Sequence, residues 1–104
     1  MFSFLKNLFK HKPAADFKAL LQNGAQLIDV RTQQEYEHGH LQGSVNIPLQ
    51  QLASSLKHVK KDKPIITYCS SGTRSAVATK MLKSKGYSEV YNGGGWKNLE
   101  HKIK

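Results

Sequence analysis

The sequence predicts an α/β domain with a doubly wound, mostly parallel sheet and helices on both of its faces. Short apolar runs alternate with amphipathic segments along the chain, and Gly, Pro or Asn residues separate them. A chain of 104 residues can bury one core but not two. Parallel strands that are joined through helices take right-handed crossovers, which place those helices against the sheet.

The first half of the chain predicts two strands and two helices. Residues 14–22 have the pattern of a helix, and residues 26–30 that of a short buried strand. Thr32 is a candidate N-cap with Glu35 three positions later, the spacing of a capping box, for a helix through about residue 37. A second strand is predicted at residues 44–47.

The second half continues the alternation. Residues 49–56 are predicted as a helix after a proline, and residues 65–68 form the most apolar strand candidate. A longer helix is predicted over residues 74–85, ended by a glycine, and a last strand at residues 89–91. The glycines at 93–95 are interpreted as a tight turn that anchors a final helix beginning near Trp96.

The chain is strongly basic, with 16 Lys and Arg against 7 Asp and Glu and a formal charge of +9. Such a charge suits nucleic acid, an acidic membrane surface or small anionic substrates. The lysines are spread along the chain without the interleaved aromatic residues that stack on bases, so we expect no nucleic-acid partner. We interpret most of them as solvated helix faces.

Cys69 is the single cysteine of the chain, which excludes an internal disulfide and a multi-cysteine metal site. Any thiol chemistry therefore depends on Cys69, and the cytoplasm is the expected compartment. No run approaches the roughly 18 apolar residues of a membrane span. Lys6 and Asn7 also interrupt the apolar start before it reaches the length of a signal-peptide core.

Residues 1–12 are predicted to be an amphipathic leader, outside a domain at residues 13–104. Phe2, Leu5 and Phe9 recur at helical spacing with lysines between them, which predicts a short helix over the first eleven residues. One interpretation is a weak contact with a membrane surface or a partner protein. The other is a helix packed on the domain, or a frayed terminus.

The predicted site is the loop between the strand at 65–68 and the helix that begins near Arg74. Parallel sheets bind ligands at the carboxyl ends of their strands, where Cys69 lies. The small residues that follow it let backbone N–H groups converge on an anion, with Gly72 supplying a positive φ. The helix N-terminus and Arg74 then favour a nucleophilic thiolate. The predicted site residues are Cys69 as nucleophile and Ser70, Ser71, Gly72, Thr73, Arg74 and Ser75 as the anion-binding loop.

Simpler alternatives remain open for these residues. Cys69 would be inert if it were only a buried core cysteine. Arg74 would be structural if it capped the helix or paired with an acid. The hydroxyls of the loop would then be ordinary turn residues.

Five segments of the chain match the motifs of one protein family: LIDVR at 27–31, EY at 35–36, GHLQGSVNIP at 39–48, YCSSGTRS at 68–75 and GGGW at 93–96. On these segments the sequence resembles the rhodanese family over about residues 14–104. The resemblance implies a doubly wound domain in which Cys69 takes the outer sulfur of thiosulfate, releases sulfite and passes the sulfur to a thiol or to cyanide. It implies no metal and no organic cofactor, and we expect a monomer.

Four further residues belong to the family's first motif, which covers the first three of these segments: Asp29, Arg31, Glu35 and His40. We expect them to fix the loops around the site through hydrogen bonds and ion pairs rather than to take part in the chemistry. Ser44 departs from the pattern, since many relatives have alanine there.

Two other functions compete with sulfur transfer. Phosphatases and arsenate reductases with a similar loop place five residues between cysteine and arginine, whereas four lie between Cys69 and Arg74 here. The loop also has no carboxylic acid to protonate a leaving group. The second competitor is a partner-binding module or a persulfide carrier, and the presence of Cys69 argues against a module without chemistry.

Overall fold

The computed structural model describes residues 15–104, and the predicted leader lies outside the described residues. Every strand of this region lies in one sheet, and helices or turns join consecutive strands. The strands are β1 (Gln26–Asp29), β2 (Val45–Asn46), β3 (Ile65–Cys69) and β4 (Val90–Gly95). The helices are α1 (Phe17–Gln22), α2 (Gln33–Glu37), α3 (Leu49–Leu52), α4 (Thr73–Ser84) and α5 (Trp96–Ile103), with a 3₁₀ turn at Leu56–His58.

The sheet has the strand order β2-β1-β3-β4, and each neighbouring pair is parallel. This confirms the predicted α/β fold with a parallel sheet. Asp29 pairs with Tyr68 at the carboxyl end of the two central strands, and Cys69 pairs with Gly95 beyond a register shift. The ends of three strands therefore meet around Cys69.

The core has two layers, one on each face of the sheet. Side chains of a strand alternate between faces, so Ile65 and Cys69 of β3 point to one side and Ile66 and Tyr68 to the other. The first layer packs against α3 and α4, with Leu52 and Leu82 fully buried; the second packs against α1 and α5. Helices thus cover both faces, as the sequence predicts.

The predicted capping box at the start of α2 is confirmed. The Glu35 backbone N–H donates to Thr32 Oγ1 over 3.1 Å, and the Thr32 N–H donates to Glu35 Oε1 over 3.0 Å. Two N–H groups that would otherwise lack partners at the helix start are satisfied in this way. The box also fixes the direction in which the Glu35 carboxylate points.

The predicted helix over residues 49–56 is wrong in its second half. α3 ends at Leu52, and the chain turns before it forms the 3₁₀ turn at Leu56–His58. The Ser54 hydroxyl donates to the Gln51 carbonyl over 3.0 Å, a bond that competes with helix propagation.

The predicted tight turn at residues 93–95 is also wrong, because β4 continues through Gly95. A β-carbon at Gly93 would lie 2.8 Å from the Thr67 carbonyl oxygen, and one at Gly95 would lie 2.7 Å from that of Ser70. The missing side chains let the last strand lie directly against β3 and the loop after it. Across residues 15–104, no helix has the length and apolar character needed to cross a membrane.

Candidate active site

Cys69 is the last residue of β3, and its side chain points to the face that α4 covers. Only 1% of the residue is exposed. The chain then turns through Gly72, which has φ of +100° and is the N-cap of α4. This left-handed conformation suits glycine, and it brings the start of α4 back over the sulfur.

The Cys69 sulfur is surrounded by hydrogen-bond donors. The Gly72 backbone N–H donates to Sγ over 3.0 Å and the Ser75 N–H over 3.4 Å, while Ser75 Oγ lies 3.4 Å away. Burial disfavours the thiolate, but these bonds outweigh it, so the pKa of Cys69 lies below its ordinary value. The cause is the hydrogen bonding of Sγ with the Ser75 hydroxyl and with the N–H groups of Ser75, Ser71 and Gly72.

The side chains of Arg74 and Ser70 bind Glu35. The Arg74 guanidinium donates to the two carboxylate oxygens of Glu35 over 2.7 and 3.0 Å, and the Ser70 hydroxyl donates to Glu35 over 3.0 Å. These contacts hold the pKa of the Glu35 carboxyl well below its usual range, with the Arg74 hydrogen bond as the largest cause. Arg74 therefore pairs with an acid, which was one of the alternatives left open by the sequence. The role of Arg74 in anion binding stays a prediction.

The predicted loop thus divides into two groups. Gly72 and Ser75 contact the sulfur, whereas Ser70 and Arg74 fasten the loop to α2. The side chains of the remaining predicted residues, Ser71 and Thr73, are exposed, and Ser71 acts on the sulfur through its backbone N–H.

Asn92 is a residue of this site that the sequence reasoning did not identify. Its Oδ1 accepts hydrogen bonds from the Ser75 hydroxyl over 2.6 Å and from the Gly94 N–H over 2.9 Å, and its Nδ2 donates to the Gly72 carbonyl over 3.3 Å. Asn92 therefore ties β4 to Gly72 and Ser75, whose N–H groups donate to the sulfur. The sequence feature that could have identified Asn92 is a polar side chain in a strand, directly before the three glycines.

Asp29 and Arg31 form a buried pair that shapes the neighbouring loop. Their salt bridge is 2.7 Å long, with both side chains at most 5% exposed. Arg31 also donates to the Gly39 carbonyl over 2.6 Å, and its guanidinium carbon lies 5.0 Å from the centre of the Trp96 ring. The pair thus joins β1, the segment at Gly39 and α5, as expected of residues that fix loops.

His40 contacts α2 rather than the sulfur. Its ring stacks on that of Tyr36 with the centroids 3.6 Å apart, and its Nδ1 lies 2.7 Å from the Tyr36 carbonyl oxygen.

The chain matches one known protein family over most of its length. Residues 13–102 match the model of the Rhodanese-like domain. The chain belongs to this family. The resemblance that the sequence motifs indicated is therefore confirmed, and the cysteine loop described above is that of a rhodanese-like domain.

Individual relatives support a sulfurtransferase activity. Thiosulfate sulfurtransferase GlpE of Pseudomonas syringae pv. syringae (strain B728a) is 34% identical over 87 residues, which cover 84% of this chain and 82% of GlpE. Uncharacterized protein YqhL of Bacillus subtilis (strain 168) is 46% identical over 81 residues, 77% of this chain but only 64% of YqhL. A solved rhodanese with anions from E. coli is 35% identical, with a TM-score of 0.69 over 72% of this chain and 91% of that one.

Proposed function

We propose that this rhodanese-like domain transfers sulfur from thiosulfate to a thiol or cyanide through a persulfide on Cys69. The observation that carries the proposal is the Cys69 sulfur held 3.0 Å from the Gly72 N–H at the start of α4, with a lowered pKa. A thiolate is the reactive form of cysteine, and a helix N-terminus stabilises it. The relatives named as thiosulfate sulfurtransferases support the choice of reaction.

In the first step, the Cys69 thiolate attacks the outer sulfur of thiosulfate. A new S–S bond forms, the S–S bond within thiosulfate breaks, and sulfite leaves with its electron pair. Cys69 then carries the outer sulfur as a persulfide anion. Backbone N–H groups of the loop stabilise the negative charge of the persulfide. They need not reorganise, because the backbone already holds them in place.

In the second step, an acceptor thiolate or cyanide attacks the outer sulfur of the persulfide. The Cys69 S–S bond breaks, and its electron pair returns to Sγ as the thiolate. The products are a persulfide of the acceptor or thiocyanate, and the protein is ready for another cycle. The outer sulfur extends from the buried Sγ into the loop, where an acceptor reaches it more easily than Sγ itself.

The contacts of Glu35 argue against hydrolysis of phosphate esters. Such a reaction needs a general acid near the leaving group. Glu35 is the carboxylate bonded to this loop, and Arg74 keeps it ionised by lowering its pKa. An ionised carboxylate has no proton to donate, so Glu35 does not supply the general acid that a phosphatase requires.

Intact-mass spectrometry tests the proposal. The reduced protein is measured before and after thiosulfate, and again after cyanide, beside a Cys69→Ser control. We expect a gain of one sulfur atom that cyanide removes and that the control lacks. If the folded protein with a free thiol gains no sulfur, thiosulfate is not its donor. The same measurement with a persulfidated protein donor then distinguishes a persulfide carrier from a binding module.

A further inference from the structure

Two threonine hydroxyls lie beneath the first turn of α4, in the apolar layer that contains Cys69. Thr67 of β3 is 0% exposed and Thr79 of α4 is 8% exposed. Each hydroxyl donates to the Ser75 carbonyl, Thr67 Oγ1 over 3.0 Å and Thr79 Oγ1 over 2.8 Å, and the two hydroxyl oxygens are 3.0 Å apart. The Ser75 carbonyl therefore has two hydroxyl donors besides the backbone N–H of residue 79, its ordinary partner in an α-helix.

The sheet holds Thr67 in a fixed place below Ser75. Thr67 lies two residues before Cys69, so both side chains point to the same face of the sheet. Its partners on the neighbouring strands are Ile28 of β1 and Asn92 of β4. Because strands flank β3 on both sides, the Thr67 hydroxyl is a rigid support for the helix turn above it.

Ser75 is thus held from two sides while it contacts the sulfur. Its carbonyl accepts from Thr67 and Thr79, and its hydroxyl donates to Asn92 Oδ1 over 2.6 Å. The backbone nitrogen and Oγ of Ser75 each lie 3.4 Å from Cys69 Sγ. A long hydrogen bond is easily lost when its donor shifts or tilts. A small displacement of Ser75 would therefore weaken the bonding that stabilises the thiolate.

Folding alone does not require the two threonine hydroxyls. Valine has the same β-branched shape and would fit an apolar layer without a polar group to satisfy. Replacing both partners of a buried hydrogen bond by apolar groups of the same shape can leave stability unchanged or increase it. The Ser75 carbonyl would keep its helical hydrogen bond in such a variant. The place of the hydroxyls, directly behind a residue that contacts Sγ, indicates a role in the site instead.

We propose that Thr67 and Thr79 are positioning residues, whose hydroxyls hold the first turn of α4 so that Ser75 stays within reach of Cys69 Sγ. The inference deepens the proposed function and rests on it, because Cys69 must present a thiolate to the sulfur donor. A Ser75→Ala variant removes the Ser75 hydroxyl but leaves its N–H in place. The threonines are the side chains through which the Ser75 N–H itself can be displaced.

The dependence of Cys69 alkylation on pH tests the inference, because the inflection of the rate reports the pKa of the thiol. The test variants are T67V and a double variant of T67V with T79V, which remove one and both hydroxyls but keep the branched shape. T67S keeps the hydroxyl but loses a buried methyl group. Ser44→Ala is the matched control, since its buried hydroxyl also donates to a carbonyl, that of Leu41 in the opposite layer.

We expect the inflection to rise by about 0.5 pH unit or more in T67V and further in the double variant, because the thiolate loses bonds that favour it. At a pH below both inflections, kcat/KM for thiosulfate should fall about threefold in T67V, in proportion to the thiolate fraction. T67V should be as stable in urea as the wild type. T67S should be less stable, through its lost methyl group, but should keep the wild-type inflection.

Three results would overturn the inference. The first is an unmoved inflection in either test variant. The second is an equal shift in T67V and T67S, because the effect would then follow packing and not the hydroxyl. The third is an equal shift in Ser44→Ala, because any buried hydroxyl would then have the same effect. The proposed function fails separately, if the wild-type protein takes up no sulfur in the mass measurement, since alkylation needs no sulfur donor.

Discussion

The Arg74 guanidinium, in the first turn of α4, binds the Glu35 carboxylate of α2 through hydrogen bonds of 2.7 and 3.0 Å. Each side chain is about one-third exposed, at 35% and 34%. Water screens such a pair, so it contributes only about 0–1 kcal/mol to folding stability. Its larger effect is to hold the cysteine loop in one position, since Ser70 bonds to the same carboxylate.

We therefore predict that Glu35→Gln separates activity from stability. The free energy of unfolding in urea should fall by less than about 1 kcal/mol. The kcat/KM for thiosulfate should fall by about tenfold, because small displacements of positioning groups are costly in catalysis. Glu37→Gln is the matched control, since Glu37 lies in the same helix and accepts from Gln33. Equal kinetics for the two variants would contradict the prediction.

The same pair predicts a dependence of stability on acid. Because the pKa of Glu35 is lowered in the folded state, its stabilising effect is present above the ordinary glutamate pKa and is lost as pH falls through the lowered value. The difference in Tm between the wild type and Glu35→Gln should therefore shrink between neutral pH and strong acid. Thermal denaturation followed by circular dichroism checks this, and a difference that grows on acidification would contradict it.

Ser75→Ala should raise the pKa of Cys69. The variant removes a hydroxyl 3.4 Å from the sulfur, and loss of a donor to the thiolate favours the protonated thiol. The inflection of the alkylation rate against pH should move to higher pH. Ser84→Ala, whose hydroxyl donates to the Met81 carbonyl later in α4, is the control. An unmoved inflection would mean that the Ser75 hydroxyl donates its proton to Asn92 Oδ1, 2.6 Å away, rather than to the sulfur.

Gly95→Ala should displace the cysteine loop. Its φ of −74° is open to any residue, so the variant tests only the new β-carbon, which would lie 2.7 Å from the Ser70 carbonyl oxygen. We expect destabilisation of about 1–3 kcal/mol and a large loss of sulfurtransferase activity. Gly43→Ala provides the contrast, since φ there is +86° and nothing lies within 4 Å of the β-carbon. The Gly43→Ala variant should lower the free energy of unfolding by about 1–2 kcal/mol through backbone strain alone and leave activity intact.

Ser44→Ala should affect stability without affecting catalysis. The buried Ser44 hydroxyl donates to the Leu41 carbonyl over 2.6 Å and lies 2.9 Å from the Tyr68 hydroxyl. In the variant, the Tyr68 hydroxyl still accepts a hydrogen bond from the Leu41 N–H. We therefore expect the free energy of unfolding in urea to fall by about 1 kcal/mol. Tyr68 faces the layer opposite Cys69, so kcat/KM should not change. Because the Ser44 hydroxyl also bonds to Tyr68, the Ser44→Ala loss should be smaller in a Tyr68→Phe background, and an unchanged loss would contradict this.

Local patterns predicted most of the fold. The strands at β1 and β3 were recognisable from their short apolar runs, and the Thr32–Glu35 spacing predicted a capping box that is present. The glycine segment was misjudged, because its conformation depends on the close approach of Thr67 and Ser70 rather than on its neighbours in sequence. Asn92 was missed for the same reason, since Gly72 and Ser75, two of its three partners, lie on a distant segment of the chain.

The sequence by itself determined the alternation of strands and helices, the loop that holds Cys69 and the family to which the chain belongs. These depend on the spacing of apolar residues and on motifs of residues that are neighbours in the sequence, so they can be recognised without knowledge of distant contacts. Only the tertiary structure decided which loop residues contact the sulfur and which contact Glu35, 39 residues from Arg74 along the chain. Contacts between distant segments depend on packing across the whole sheet, and no local sequence pattern predicts that packing.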